Sequence, residues 1–225
     1  MKPSSDGIAL ARLLQLASPA LPVGAYSYSQ GLESAVEAGI VRDAASAERW
    51  IADVLEFSMA RMEAPVFLRL CEAWRAGDAA AAGRWNARFL ASRESAELRA
   101  ESVQMGYSLA RLVRELGADG GPAAWEEVSF PAAFTYAVAC WKLDAHDALI
   151  AYLWTWCENQ VMAAIKAVPL GQTAGQRMLL ALGESIPVVA AGAAALDDDS
   201  LGNYAPGLAL LSARHETQYS RIFRS

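Results

Sequence analysis

Apolar residues recur every three or four positions along almost the whole chain, and this spacing restricts the fold more than any other feature. It is the period of an α-helix that buries one face. Runs with the two-residue period of strands are not found in the sequence. The pattern therefore predicts an all-α protein, a single-domain bundle of about ten helices over residues 1–225. Predicted helices span 8–17, 46–58, 62–74, 78–92, 94–116, 132–143, 145–168, 171–196 and 206–219.

Turn and capping residues place several helix boundaries. Gly77 is expected to end one helix and Asp78 to cap the next one. Pro131 suits the first turn of a helix, where a missing N–H has no cost. Asp144 is expected to cap the segment 145–168, which is apolar nearly all round and is therefore expected to be central.

Composition and charge exclude several classes of protein. With 54% hydrophobic residues the chain is not disordered, and its net charge of −6 argues against binding nucleic acid. Three widely spaced cysteines fit a reduced cytoplasmic protein. The apolar stretches 148–157 and 185–196 are shorter than the roughly 20 residues of a membrane-spanning helix. We therefore expect a cytoplasmic protein that does not bind a membrane and has a flexible N-terminus at residues 1–6.

No motif with catalytic or metal-binding chemistry stands out. The sequence has neither a Walker A loop nor a GxGxxG motif, so no phosphate-binding loop is predicted. The only two histidines, His146 and His215, are far apart, and His215-Glu216 lacks the second histidine of a zinc protease. Asp197–Asp199 is more typical of a solvated loop than of a cation site. The sequence therefore predicts a non-catalytic protein that holds no metal or cofactor and acts through its surface.

Three segments interrupt the alanine-rich helices, and the first is residues 18–33. Its prolines, glycines, serines and tyrosines predict an irregular loop of a length that is uncommon unless it is functional. A rigid connector, in which Ser29 or Gln30 caps a helix, is the alternative. The candidate binding residues of this segment are Tyr26, Ser29, Gln30 and Glu33.

The second segment, residues 160–172, ends a buried helix with a lysine followed by proline and glycine. Lys166 is one of only three lysines among nineteen basic residues, which indicates a need for a compact, flexible ammonium group. Alternatively, Lys166 only complements the negative end of the helix dipole. The candidate binding residues here are Lys166, Pro169, Gly171 and Gln172.

The third segment, residues 212–225, combines aromatic side chains with arginines and carries a net positive charge in an acidic protein. Arginine and tyrosine are enriched at the energetic centres of protein interfaces, so a partner-binding segment is predicted. A final helix docked on the protein's own core is the alternative. The candidate binding residues are Arg214, His215, Glu216, Tyr219, Arg221, Phe223 and Arg224.

Taken together, these segments resemble the urease accessory protein UreF family. The resemblance lies in Pro22–Glu33, in Lys166–Gln172, in Ser212–Ser225 and in the charged segment Arg93–Arg99, and it extends in order over nearly the full length. The mid-chain region 117–142 matches least.

The resemblance implies a fold, partners and roles for particular residues. UreF proteins are all-α homodimers that bind UreD, called UreH in some organisms. This pair recruits the GTPase UreG and delivers nickel to apo-urease, so that nickel and GTP are handled by partner proteins. Positions matching Tyr26, Lys166 and Arg221 belong to the partner surfaces of the family, particularly the surface that recruits UreG. Modulation of the GTPase activity of UreG is a further implied role.

Other classes of function remain open. An all-α hydrolase or ligand-binding bundle could use a pocket around Trp141, Trp154 and Trp156, although such tryptophans are more often part of a core. A helical protein of the membrane surface would need a basic amphipathic face. In a dimer, two copies of His215 could form a weak shared nickel site, but one imidazole per chain supplies too few ligands for a strong one.

Overall fold

The structure, a computed structural model, describes residues 5–225 and the side chains from Asp6 onwards. It contains no strand in this range, which confirms the all-α prediction. The flexible terminus was predicted over residues 1–6, and residues 1–4 of it lie outside the described residues. The first helix already begins at Ser5. The helices are α1 (Ser5–Leu16), α2 (Leu32–Glu37), α3 (Ala44–Val54), α4 (Ala64–Arg75), α5 (Ala79–Ala91), α6 (Ala96–Glu115), α7 (Phe130–Cys140), α8 (Ala145–Ala167), α9 (Gln172–Ala194) and α10 (Pro206–His215).

The capping residues act as the sequence predicts. Gly77 has a φ of +69°, and the Asp78 carboxylate accepts a hydrogen bond from Ala81 N at 2.8 Å. Asp144 accepts from the backbone N–H groups of His146 and Asp147 at the start of α8. These hydrogen bonds hold the pKa of Asp144 below its usual value, with the Asp147 N–H making the largest contribution.

A π-helical segment, Leu55–Glu63, joins α3 to α4 without a break, where the sequence predicted two separate helices. Two of its carbonyl groups accept hydrogen bonds from the loop before α10. Tyr204 N donates to Phe57 O at 2.8 Å, and Gly202 N donates to Arg61 O at 3.2 Å. These long-range donors stabilise a wide turn that local sequence does not predict.

The last helix is shorter than predicted, because α10 ends at His215 and the chain then leaves the helical path. The Arg221 side chain accounts for this change. Its guanidinium group donates to the carbonyl oxygens of Glu216 and Gln218, which a continuing helix would have used internally. We call the non-helical residues 216–225 the tail.

Helix α8 lies at the centre of the bundle, as its apolar pattern predicts. It packs against α1, α2, α3, α4 and α9. Tyr152 of α8 belongs to a cluster of aromatic rings with Phe67, Phe130 and Phe134, whose centroids lie 5.0–5.9 Å apart. This packing anchors the N-terminal half of α8 in the core.

The loop of residues 17–31, helix α2, the end of α8 and α10 meet at one end of the bundle. Gly31 permits this close packing, because it has a φ of +78° and a Cβ atom there would lie 3.3 Å from Ser212 N in α10. Any other residue would be strained at this backbone angle and would crowd α10.

One described helix, α9, is long and apolar enough to cross a membrane by length and composition alone. This corrects the expectation that no apolar stretch reaches that length. Core helices of globular proteins pass the same test, and α9 packs against α3, α4 and α8. The helix by itself is therefore weak support for membrane insertion.

Candidate partner-binding surface

Lys166 connects the three segments that the sequence analysis singled out. Its Nζ atom lies 5.9 Å from the ring centroid of Tyr26 and 5.6 Å from that of Phe223. Tyr26 is 67% exposed, whereas Phe223 is only 5% exposed. The ammonium group therefore lies at the surface against two aromatic rings, a contact worth about 0.5–1 kcal/mol at an exposed site.

The alternative explanation of Lys166 also has a structural basis. The residue lies in the last turn of α8, where a positive charge complements the helix dipole. That role would not need the aromatic rings, which come from the loop and from the tail. The cluster of Tyr26, Lys166 and Phe223, which we call the lysine cluster, is therefore an additional feature created by the fold.

Backbone hydrogen bonds fasten the tail to the loop. The backbone oxygen of Ser225 accepts from Ser29 N and from Ser29 Oγ, both at 2.6 Å, and from Gln30 N at 3.2 Å. Arg224 N donates to Ser27 O at 2.8 Å. Ser29 and Ser225 are fully buried by this pairing. The tail is thus docked on the protein's own surface up to its last described residue.

Glu33 of α2 is the main side-chain acceptor for the tail. Its two carboxylate oxygens accept from Ile222 N at 2.7 Å and from Phe223 N at 2.9 Å. The second of these oxygens also lies 3.3 Å from His215 Nε2. Because Glu33 is only 6% exposed, these contacts replace the water that the carboxylate would otherwise bind.

His215 lies between two carboxylates and is fully buried. Its Nδ1 atom is 2.6 Å from Glu97 Oε2, opposite the contact with Glu33. The other oxygen of Glu97 accepts from Arg221 Nη1 at 2.7 Å. Glu33, Glu97, His215 and Arg221 therefore form one connected ionic group, which we call the tail clamp.

A second polar group lies beneath the loop. Glu101 accepts hydrogen bonds from Gln30 Nε2 at 2.7 Å and from Ser225 Oγ at 2.9 Å. Gln30 Oε1 in turn accepts from Trp156 Nε1 at 2.7 Å. Burial raises the pKa of Glu101 to about 7, while the hydrogen bonds from Gln30 and Ser225 act in the opposite direction.

Glu101 borders a small internal cavity of about 40 Å³. Glu63 also lines it and is paired with Arg93 at 3.2 Å. The hydroxyl group of Tyr152 donates to Glu63, and burial together with this carboxylate raises the pKa of Tyr152 well above its usual value. The volume suits ordered water rather than an organic substrate.

The structure divides the predicted site residues into two sets. The first set holds the loop to the tail and comprises Ser29, Gln30, Glu33, His215 and Phe223. Gln30 is half-buried, and the other four residues are buried. The other set is exposed and available to a partner; it comprises Tyr26, Lys166, Pro169, Gly171, Gln172, Arg214, Glu216, Tyr219, Arg221 and Arg224.

Sequence reasoning missed several residues of this surface. Glu97 and Glu101 of α6 are distant in sequence from the loop and the tail, so their pattern on one helix did not reveal which partners they would meet. Ile222, which is 64% exposed beside Arg221, was not among the predicted site residues. Ser225 gave no signal, because its role depends on backbone pairing with Ser29.

Two alternatives from the sequence lose their structural basis. The three tryptophans do not form one pocket, since Trp156 faces Gln30 while Trp154 lines an outer groove with Leu10. Both ring nitrogens of His215 face carboxylates inside the fold, so no nitrogen is directed at a shared metal site. Within residues 5–225, no three side chains of His, Cys, Asp or Glu are grouped as metal ligands.

These features define a helical binding protein. Its candidate partner-binding surface is formed by a loop, the end of a helix and a docked tail. The sequence model of the UreF family matches residues 41–183. A urease accessory protein UreF of Azoarcus sp. is 57% identical over 230 residues, covering 99% of this chain and 98% of the relative. One of Dechloromonas aromatica is 56% identical, covering 96% and 97%. The chain therefore belongs to the UreF family of urease accessory proteins.

Membership confirms the resemblance seen in the sequence and the expectation of a non-catalytic accessory protein. A further relative, from Bordetella bronchiseptica, is named as a bifunctional urease accessory protein UreEF. It is 54% identical over all of this chain, which covers 54% of that longer protein. The family model does not reach the loop or the tail, but the full-length relatives span both.

Proposed function

We propose that this chain is a urease maturation factor that acts in a complex with a UreD-type protein (UreH) and the GTPase UreG. The complex would insert nickel into the active site of apo-urease in a GTP-dependent step, in the cytoplasm. The observation that carries the proposal is the lysine cluster, which places an ammonium group and an exposed tyrosine on a surface built by the three family segments.

The chemistry of the surface supports binding of a protein partner. Tyr219 is fully exposed and Ile222 is 64% exposed, and both lie beside the exposed side chain of Arg221. Exposed aromatic, aliphatic and guanidinium groups in one patch are typical of interface centres. We assign Tyr26, Lys166 and Arg221 to recruitment of UreG, and Tyr219 with Ile222 to the contact with UreD.

Division of labour among the partners is consistent with this assignment. The sequence has no phosphate-binding loop, so GTP would be bound and hydrolysed by UreG. Nickel prefers clustered imidazole, thiolate or carboxylate ligands, and the described residues contain no such group. The chain would then organise nickel transfer and its timing and would modulate GTP hydrolysis by UreG, rather than carry either ligand.

Substitution of Lys166 tests the proposal. Lys166→Ala should abolish co-purification with UreG while reducing the free energy of unfolding by less than about 1 kcal/mol, because the side chain is exposed. Lys166→Arg should restore part of the binding, since it keeps the charge but not the compact shape. Arg114→Ala, at an exposed basic side chain of α6 outside the three segments and the groove, is the control. Normal UreG binding by stable Lys166→Ala would contradict the assignment.

A homodimer is part of the proposal, and the groove between α1, α8 and α9 is our candidate interface. This groove has a volume of about 970 Å³ and is lined by the exposed side chains of Leu10, Leu14 and Trp154. Both signs of charge occur along it, with Lys142 on one hand and Asp6, Asp144 and Asp147 on the other. A two-fold interface contacts the same patch on both copies, so a patch with both charges can pair with itself.

Light scattering after size-exclusion chromatography tests the dimer. Leu14→Glu should shift the protein to a monomer, because two copies of the charge would be buried in an apolar interface. Leu116→Glu places the same charge at an exposed leucine directly after α6, outside the groove, and should leave the mass unchanged. A dimer of unchanged affinity in Leu14→Glu would place the interface elsewhere.

A further inference from the structure

We propose that His215 is a positioning residue that holds the tail as a doubly protonated imidazolium ion between Glu33 and Glu97. The inference deepens the proposed function, because the docked tail is the form that we expect partners to recognise. It concerns how this surface is held in place rather than which protein binds to it.

The positions of the two ring nitrogens carry the inference. Nδ1 lies 2.6 Å from Glu97 Oε2, and Nε2 lies 3.3 Å from Glu33 Oε2. A neutral imidazole has one N–H donor and one acceptor nitrogen, so one of its nitrogens would face a carboxylate oxygen without a proton. Only the imidazolium form donates to both carboxylates.

The charges of the tail clamp lead to the same protonation state. Glu33 and Glu97 contribute two negative charges, and Arg221 contributes one positive charge. With an imidazolium at His215 the four groups sum to zero. A neutral ring would leave a net negative charge beside a fully buried side chain, which is costly unless it is compensated.

His215 joins the two branches that hold the tail. Glu33 accepts from His215 and from the backbone of residues 222 and 223, whereas Glu97 accepts from His215 and from Arg221. The charged groups facing the ring therefore come from α2 and α6, and Arg221 reaches it from the tail through Glu97. Loss of the ring charge would leave one carboxylate on each side of a neutral ring, and release of the tail would let water reach both.

Release of the tail would also dismantle the partner surface. Phe223 would leave Lys166, and the backbone partners of Ser29 and Gln30 would be lost. The lysine cluster therefore depends on the charged ring of His215, the last residue of α10.

Nitrogen-15 NMR of the histidine rings in the intact protein tests the protonation state directly. The chain has only two histidines, and the exposed His146 serves as an internal reference. In the folded protein at neutral pH we expect both nitrogens of His215 to carry protons, because each faces a carboxylate oxygen. A neutral tautomer of His215 in the folded protein would overturn the inference.

Hydrogen exchange tests the positioning role. In His215→Gln, the amides of residues 222–224 and of Ser29 and Gln30 should exchange at least tenfold faster, whereas those of α7 should not change. Glu97→Gln should give the same pattern, and His146→Gln should match the wild type. Full protection of the tail in folded His215→Gln would overturn the inference.

Binding assays separate this inference from the proposed function. If the tail is released in His215→Gln while UreG and UreD still bind, the positioning role stands and the assignment of the tail to partner binding fails. If the ring is neutral or the tail stays docked, the positioning role fails, and the assignment of Lys166 to UreG is unaffected.

Discussion

The carboxylate of Glu33 accepts a hydrogen bond from the backbone N–H of Phe223 at 2.9 Å, which joins α2 to the tail. This contact explains why the loop and the tail act as one unit. Phe223 lies against Lys166, and Glu33 holds the backbone leading into the ring by accepting from the N–H groups of Ile222 and Phe223. The exposed surface of the protein therefore depends on a buried carboxylate.

Replacement of Glu33 should weaken the whole protein and not only the surface. Glu33→Ala leaves two backbone N–H groups of the tail and the ring of His215 without their acceptor. We expect a loss of about 2–3 kcal/mol in the free energy of unfolding, measured by urea denaturation. Glu37→Ala, at the exposed end of the same helix, should change it by less than about 0.5 kcal/mol. Equal effects of the two substitutions would contradict the role of Glu33.

The exposed side chains of the tail should matter for binding but not for stability. Tyr219→Ala and Ile222→Ala should leave the free energy of unfolding within about 0.5 kcal/mol of the wild type. Both should weaken co-purification with a UreD-type partner. Deletion of residues 219–225 is a poorer test, because it would also uncover Glu33 and Ser29. Unchanged binding by both point variants would remove the tail from that interface.

Stability should depend on pH through Glu101. Its pKa rises from 4.5 to about 7 on folding, so the folded protein binds more protons than the unfolded chain between these values. Stability from this group is therefore greatest below pH 4.5 and falls as the pH rises to about 7. The difference is about 3 kcal/mol as an order of magnitude. Glu101→Gln should remove this part of the pH dependence in urea denaturation, and an unchanged profile would contradict the shift.

Two glycines should respond to alanine in opposite directions. At Gly106 of α6, an added Cβ atom would lie 2.1 Å from Val128 O, so the backbone before α7 would have to move. Gly106→Ala should cost about 1–3 kcal/mol or more. Gly83 of α5 has no atom within 4 Å of its Cβ position, and Gly83→Ala should stabilise the helix by up to about 1 kcal/mol. Thermal unfolding of the two variants provides the comparison.

The isolated protein should bind neither GTP nor nickel tightly. It has no phosphate-binding loop in its sequence, and its described residues hold no cluster of metal ligands. Calorimetry with each ligand should give no binding at micromolar affinity. A nickel site of that strength, lost in His215→Ala, would contradict both the scaffold role and the buried position of His215.

The amino-acid sequence by itself determined the class of fold and most helix boundaries of this protein. Helical periodicity and local caps such as Asp78 and Asp144 depend on residues within a few positions of one another, so they can be read without a structure. The resemblance of the loop, the end of α8 and the tail to one family was also visible in the order of residues.

Tertiary structure decided how these segments work together. The π-helical segment depends on donors from residues 202 and 204, and Arg221, which follows the end of α10, is held by Glu97 of α6. His215 looked like a candidate surface residue in the sequence, yet it is buried between carboxylates from two other helices. Contacts of this kind join residues more than a hundred positions apart, and their energies depend on burial and distance, which only the packed chain defines.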